Sequence, residues 1–302
     1  MLQIPYQEKN SDIRRIAISL HKKCFADIER FDIVWIDYPI YYRYIPKSYK
    51  GIVIYDCMDN YQELFPDQKK EAREYVSKME QSLIDRSNII FASSSKLKKK
   101  ICNMNHGKEV TLIRNGCFFP KNIKPELSII RQKYVIGYVG SVSKWIDTAI
   151  ITKSLKVRSD VIYRFIGPVY HYSEINNERV QYTGTVEHSK LYDKVKDIDC
   201  LIMPFIINNI TEYVDPVKLY EYVLWGKCIV ASYYPELERF SDFVYFYHNT
   251  AEYLDLIDRL CKEGFPAKYS EDKQKEFLLD NTWECRIKEI ESVIRGQDKE
   301  NR

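Results

Sequence analysis

CLIMPFIINNITEYVDPVKLYEYVLWGKCIVAS, residues 200–232, reads as one strand–helix–strand unit. CLIMPF (200–205) and CIVAS (228–232) are short, unbroken apolar runs, as expected of strands buried on both faces of a parallel sheet. Between them Asp215-Pro216 marks a helix start, with Asp as N-cap and Pro at the first helical position, where its missing N–H costs nothing. Gly226 closes the helix in the C′ role, which gives a helix over 216–226. Lys218 and Glu221 are three residues apart and share one helix face. This helix follows the carboxyl end of a strand, the place where doubly wound sheets bind ligands. The amides of Val217, Lys218 and Leu219, with the Lys218 ammonium, would make an anion site suited to a diphosphate. Glu221, one turn deeper, would accept hydrogen bonds from two ribose hydroxyls. The plainer reading of the same residues is a surface ion pair on a capped helix.

Outward from this unit the same alternation fills the chain. FDIVWID (31–37), GIVIYDC (51–57), NIIFASS (88–94) and VTLIRNG (110–116) read as strands. Helical stretches are expected over 11–30, over 66–86 with Pro66 in the first turn, and near 95–104. Residues 118–133 contain Pro120 and Pro125 and no clear period, so a domain linker is expected there. The alternation restarts with VIGYVGS (135–141), a helix over 145–157, VIYRFIGP (161–168), VQYTG (180–184) and a helix around 188–197. After the central unit come FVYFY (243–247) and helices at about 250–263, 271–280 and 282–296. The expected fold is α/β, with two Rossmann-like sheets joined by a linker.

Composition narrows the function classes. Among 302 residues, 46 Lys and Arg stand against 43 Asp and Glu, a formal net charge of +3, so bulk charge does not suggest nucleic-acid binding. Residues 1–120 carry 20 basic and 15 acidic residues, which leaves 26 and 28 for the rest. A basic first half, with Lys96, Lys98, Lys99 and Lys100 on one expected helix, raises contact with an anionic membrane surface, against the commoner reading of a solvated face. The eight cysteines are far apart, with no CxxC and no histidine in metal-ligand register. They read as reduced, structural thiols of a cytoplasmic chain. No run approaches 18 apolar residues, so no membrane span is expected. Asp56 and Asp59, at the end of GIVIYDC, are the best candidates for a general base or a carboxylate facing a developing positive charge; a turn or helix cap is the alternative.

DPVKLYEYVLWGKCIVASYYPELERF (215–240) closely resembles the nucleotide-binding segment of family 4-like, two-Rossmann (GT-B) glycosyltransferases of the bacterial surface-polysaccharide type. YDCMDNYQEL (55–64), IRNGCFF (113–119), IGYVGSVSKWIDTAII (136–151), FIGPV (165–169), YTGTVEHSKL (182–191) and DCLIMPF (199–205) follow the family pattern in order. The resemblance implies an acceptor-side domain over 1–120, a nucleotide-sugar domain over 121–281, and a terminal helix over 282–302 that crosses back. It implies a donor site of Gly140, Ser141, Lys144, Val186, Asp215, Val217, Lys218, Leu219 and Glu221, with Asp56 and Asp59 catalytic. The implied donor is a UDP- or GDP-sugar, the acceptor a glycan or a lipid-linked glycan. No metal or other cofactor is expected, because helix dipole, amides and lysine can neutralise the leaving diphosphate. The implied place is the cytoplasm, peripheral at the inner membrane face.

Three features depart from the family. Tyr213 stands where many members carry a Glu eight residues before the second Glu. The loop Gly140-Ser141-Val142-Ser143-Lys144-Trp145 supplies one cation, where the family often presents an Arg and a Lys. Trp145 and Asp147 match the subfamily, Trp145 equally as simple packing. A further strand and its acceptor-facing loop usually precede the segment equivalent to 1–30, so the resemblance implies a shortened N-terminal domain. Two readings therefore stand: an active glycosyltransferase, and a catalytically impaired relative that serves as a partner or nucleotide-binding subunit, with a protein partner completing the N-terminal domain.

Overall fold

The apolar runs become parallel strands. The computed structural model describes Phe25 and residues 27–65, 69–105, 107–118, 130–170 and 174–300, the last four by backbone alone. The chain divides into two compact units, residues 1–112 and 113–302. Most of the expected helix over 11–30, Pro66, and residues 119–129 of the expected linker lie outside the described residues.

In the first unit β1 (Ile33–Ile36), β2 (Ile52–Cys57), β3 (Ile89–Ala92) and β4 (Thr111–Leu112) pair in that order, all parallel. Helix α1 (Lys70–Arg86) buries Ala72, Val76, Leu83 and Ile84 at helical spacing, and Glu80 falls within the same stripe. That carboxylate is fully buried and is met by Lys100 Nζ at 2.8 and 3.1 Å and by the Tyr55 hydroxyl at 2.8 Å. Lys100 belongs to α2 (Ser95–Met104), whose first turn is capped by Ser94 accepting from the Leu97 amide. The lysine run is therefore not one solvated face: Lys99 is exposed, Lys96 and Lys98 are half-buried, and Lys100 turns inward to neutralise Glu80. At the other end of α1, Lys108 Nζ donates to the carbonyls of Ile84 and Ser87 at 3.0 and 2.9 Å, a cation at the negative end of a helix.

The second unit holds β5 (Tyr134–Val139), β6 (Val161–Ile166), β7 (Val180–Tyr182), β8 (Cys200–Met203), β9 (Cys228–Ser232) and β10 (Tyr245–Tyr247). All pair parallel in the order β10-β9-β8-β5-β6-β7, the doubly wound order with its switch between β5 and β8. Helices α3 (Thr148–Val157), α4 (Leu191–Val195), α5 (Val217–Leu224), α6 (Thr250–Glu263), α7 (Glu271–Asp280) and α8 (Trp283–Glu300) complete it. The helix expected around 188–197 is a 3-10 turn over His188–Lys190 followed by α4.

The core of this unit is rich in tyrosine, and each large ring carries a hydroxyl that must find a partner. Tyr163 pairs with Tyr253 and Ser154, both at 2.8 Å, and Tyr134 donates to the Cys261 carbonyl at 2.8 Å. Tyr222 of α5 sits at the switch. β5 and β8 pair only at Ile136–Gly137, and beyond that the Val139 amide donates to the Tyr222 hydroxyl at 2.9 Å, which in turn reaches the Ile202 carbonyl at 3.4 Å.

Residues 113–117 are tied into the second unit rather than extending β4. The strand expected over 110–116 is limited to Thr111–Leu112. Asn115 bonds Asp215 through its backbone and side-chain nitrogens at 2.7 and 2.6 Å, Arg114 pairs with Glu236, and Cys117 bridges to Thr282 at the start of α8. Arg286 of α8 donates to the Asn115 carbonyl at 3.1 Å. Cys57, Cys117, Cys200, Cys228 and Cys261 are buried, and among the described residues no helix is long and apolar enough to cross a membrane.

Candidate donor site

Three strands of the second sheet end in glycines that leave with positive φ: Gly140 after β5 (136°), Gly167 after β6 (140°) and Gly184 after β7 (70°). The Gly140 amide donates to the Ile166 carbonyl at 2.8 Å and the Gly167 amide to Gly184 at 2.9 Å, so the loops are laced side by side. A Cβ on Gly167 would strike the Gly140 carbonyl. At Gly140 and Gly167 a side chain is thus excluded, and backbone lines this part of the carboxyl edge.

Lys218 occupies the space over Gly140. A Cβ there would collide with Lys218 Cε and lie 3.0 Å from Nζ. The ammonium sits 5.8 Å from the Tyr138 ring centroid and 5.9 Å from that of Phe205. Burial lowers the Lys218 pKa, with Glu221 acting the other way. One turn along α5 the Glu221 carboxylate meets His188 Nε2 at 2.7 Å. Lys218 and Gly140 are therefore in contact near the switch, with Glu221 one turn further along α5. Val186 is half-buried against the same core, Ser141 is half-buried with its carbonyl accepting from the Tyr138 hydroxyl at 3.2 Å, and Lys144 is exposed on the loop after β5.

Two expectations about the helix start need correction. Asp215 is not the N-cap. Pro216 takes that position in extended conformation and α5 begins at Val217, one residue too far for the Asp215 side chain to reach. Its carboxylate is instead fully buried, ion-paired to Arg239 and bonded by the Asn115 amide at 2.7 Å and the Tyr220 hydroxyl at 2.9 Å. Leu219 offers nothing to a ligand: its side chain is core and its amide closes on the Pro216 carbonyl at 3.1 Å. The amides of Val217 and Lys218 are left at the helix end. Trp145 packs against the core, and Asp147 caps α3 through the amides of Ala149 and Ile150 at 3.0 and 3.2 Å.

In the first unit Asp56 lies in register with Phe91 and accepts from Trp35 Nε1 at 3.1 Å. Burial raises its pKa, and burial raises that of Asp59 further, to about 6. Among the described residues no group of three or more His, Cys, Asp or Glu side chains could hold a metal ion. Sequence reading missed His188, because the histidines lack metal spacing, and Arg239, because nothing local marks its partner.

With two parallel sheets, the second in doubly wound order, the chain has the fold of the GT-B glycosyltransferases. Sucrose-phosphate synthase from Thermosynechococcus elongatus superposes with a TM-score of 0.75 at 10% identity, over 97% of this chain and 80% of its own. Anabaena Alr3699/HepE in complex with UDP and glucose gives 0.70 at 12% identity, over 96% and 84%. The lipopolysaccharide outer core galactosyltransferase WaaB gives 0.66 at 15% identity, over 96% and 83%. A Bacillus subtilis (strain 168) protein assigned by name to teichuronic acid biosynthesis as the glycosyltransferase TuaH is 24% identical over 260 residues. That match takes in 79% of this chain, which spans 65% of the relative's length. No protein-family model matches the chain.

Proposed function

We propose that this chain transfers a sugar from a nucleoside diphosphate donor to a glycan or lipid-linked acceptor in the assembly of a bacterial surface polysaccharide. The observation that carries the reading is Lys218 lying over Gly140 at the amino end of α5, with Glu221 one turn on. Loss of the nucleoside diphosphate from the sugar builds negative charge on the leaving phosphate. The helix end contributes about half a positive charge, the amides of Val217 and Lys218 add donors, and the Lys218 ammonium adds a full charge in a site sheltered from water. Burial disfavours that ammonium, with Glu221 opposing the shift, and a diphosphate would add a second, nearer counter-charge. Glu221 accepts from the ribose hydroxyls, and the phosphates meet the backbone of the glycine-lined edge beside the Lys218 side chain. Asp56 and Asp59 serve the acceptor; Asp59, held near 6, has the pKa of a base that takes a hydroxyl proton near neutrality. The UDP complex of Anabaena Alr3699/HepE and the name of the Bacillus subtilis relative support a uridine donor and a polymer of the teichuronic acid type.

Calorimetry with UDP and GDP tests the site. Charge-assisted hydrogen bonds contribute about 1.5–3 kcal/mol each, so Lys218→Met and Glu221→Gln should each weaken nucleotide binding about 10–150-fold. Unchanged affinity in both variants sinks the proposal. Tyr213, on the 3-10 turn Thr211–Tyr213 before α5, favours a second reading, nucleotide binding without turnover. Release of UDP from UDP-sugars by the full chain, with and without a chelator, separates the two; the transferase reading expects turnover that the chelator leaves unchanged.

A further inference from the structure

We propose that His188 is a positioning residue of the donor site, holding the Glu221 carboxylate in the orientation that reads the ribose; the inference rests on the donor reading above. After β7 the chain passes Gly184 and Val186 and turns through His188–Lys190 into α4, which brings the imidazole to α5. His188 Nε2 and Glu221 Oε1 are 2.7 Å apart. Exposure is lopsided: the Glu221 side chain is 15% exposed and that of His188 is 67% exposed. A nearly enclosed carboxylate thus has an imidazole on its open side.

A carboxylate offers about four lone-pair positions. The imidazole N–H takes one on Oε1, which fixes the carboxylate plane and leaves the remaining positions for the two adjacent hydroxyls of a ribose. Lys218, the cation one turn back on the same helix, stands over the Tyr138 and Phe205 rings instead. The orienting role therefore falls to His188. A pair with so exposed a partner adds little to folding, so removing the imidazole changes the ligand site and not the core.

The experiment measures binding of UDP and 2′-deoxy-UDP, with the GDP pair in parallel, to the full chain and to His188→Phe, His188→Gln and Glu221→Gln. The wild type should prefer the ribonucleotide. His188→Phe should lose about 3–10-fold in ribonucleotide affinity and little with the deoxy analogue, so the preference collapses. His188→Gln, which restores an N–H donor on a side chain of similar reach, should regain most of it, and thermal midpoints should stay level. An intact ribose preference in His188→Phe, alongside a collapsed one in Glu221→Gln, overturns this inference alone. Failure of the wild type to bind either ribonucleotide overturns it together with the donor reading.

Discussion

Arg239→Met should destabilise the second unit by about 3 kcal/mol, and adding Asp215→Asn should recover most of the loss. The Asp215 side chain has no exposure to water, and Arg239 is its ion-pair partner, stacked over the rings of Tyr220 and Phe240 at 4.8 and 4.3 Å. Removing one member of a buried pair costs roughly 3–5 kcal/mol because the other charge is left uncompensated. Two donors remain on that carboxylate, the Asn115 amide and the Tyr220 hydroxyl, which places the loss at the lower end of the range. Methionine keeps most of the contact with the rings, so the change reports charge rather than volume. Three of the four tryptophans, Trp145, Trp225 and Trp283, lie in the second unit, so urea unfolding followed by tryptophan fluorescence reads mainly that unit. With a slope of about 2–3 kcal/mol per molar urea, the midpoint should fall by roughly 1–1.5 M. A shift below about 0.3 M, or a double variant no more stable than Arg239→Met, would refute the view of Asp215 as a buried, charge-compensated anchor.

Gly140→Ala should weaken UDP binding as strongly as Lys218→Met and cost about 1–3 kcal/mol of stability, since φ is 136° and the new methyl displaces Lys218 Cε; calorimetry and urea melts measure both. Asp59 titrates near 6 in the folded chain against an ordinary 3.8, so the folded state holds the extra proton between about pH 4 and 6. Stability should therefore fall as pH rises through that window and level off above it, by at most roughly 3 kcal/mol from this group. Asp59→Asn should remove that slope in pH-dependent melts. Lys100→Met should destabilise the first unit by about 3–5 kcal/mol through the stranded Glu80, whereas Lys99→Ala should stay within about 0.5 kcal/mol; thermal denaturation distinguishes them.

Elements that rest on local chemistry were legible in the sequence. Helices 250–263 and 271–280 fall where they were read because Asn249 and Ser270 accept from the Glu252 and Lys273 amides, and Gly264 ends the first with φ 73°. In the second sheet β5, β6, β7 and β8 stop short of their expected carboxyl ends, where Gly140, Gly167, Gly184 and Pro204 leave the strands, whereas β9 keeps its expected bounds and β10 begins only at Tyr245. Lys218 and Glu221 were readable from one helix and its N-terminus. What escaped depends on distant partners. Asp215 looks like a cap because Asp-Pro opens helices, yet Asn115 lies 100 residues before it and Arg239 24 after it. Lys100 reads as one more surface lysine until Glu80, from the preceding helix, faces it. The 3-10 turn over Pro39–Tyr44 has no period for either regular structure.

The Tyr222 hydroxyl between Val139 and Ile202 works as an indexing pin. Successive side chains on a helix are about 100° apart, so fixing the azimuth of Tyr222 fixes that of Lys218, four residues earlier on the same face, and of Glu221 beside it. An oxygen atom fastened to two strands thus adds a polar stop to the packing of Leu219, Tyr220, Val223 and Leu224 that holds this eight-residue helix at its angle. Substitutions at 218 and 221 are made on an axis that does not roll, so their effects can be read as changes of chemistry at a constant bearing. Tyr222→Phe should loosen the bearing itself and shift both groups together, an error in aim that no replacement at either position can undo.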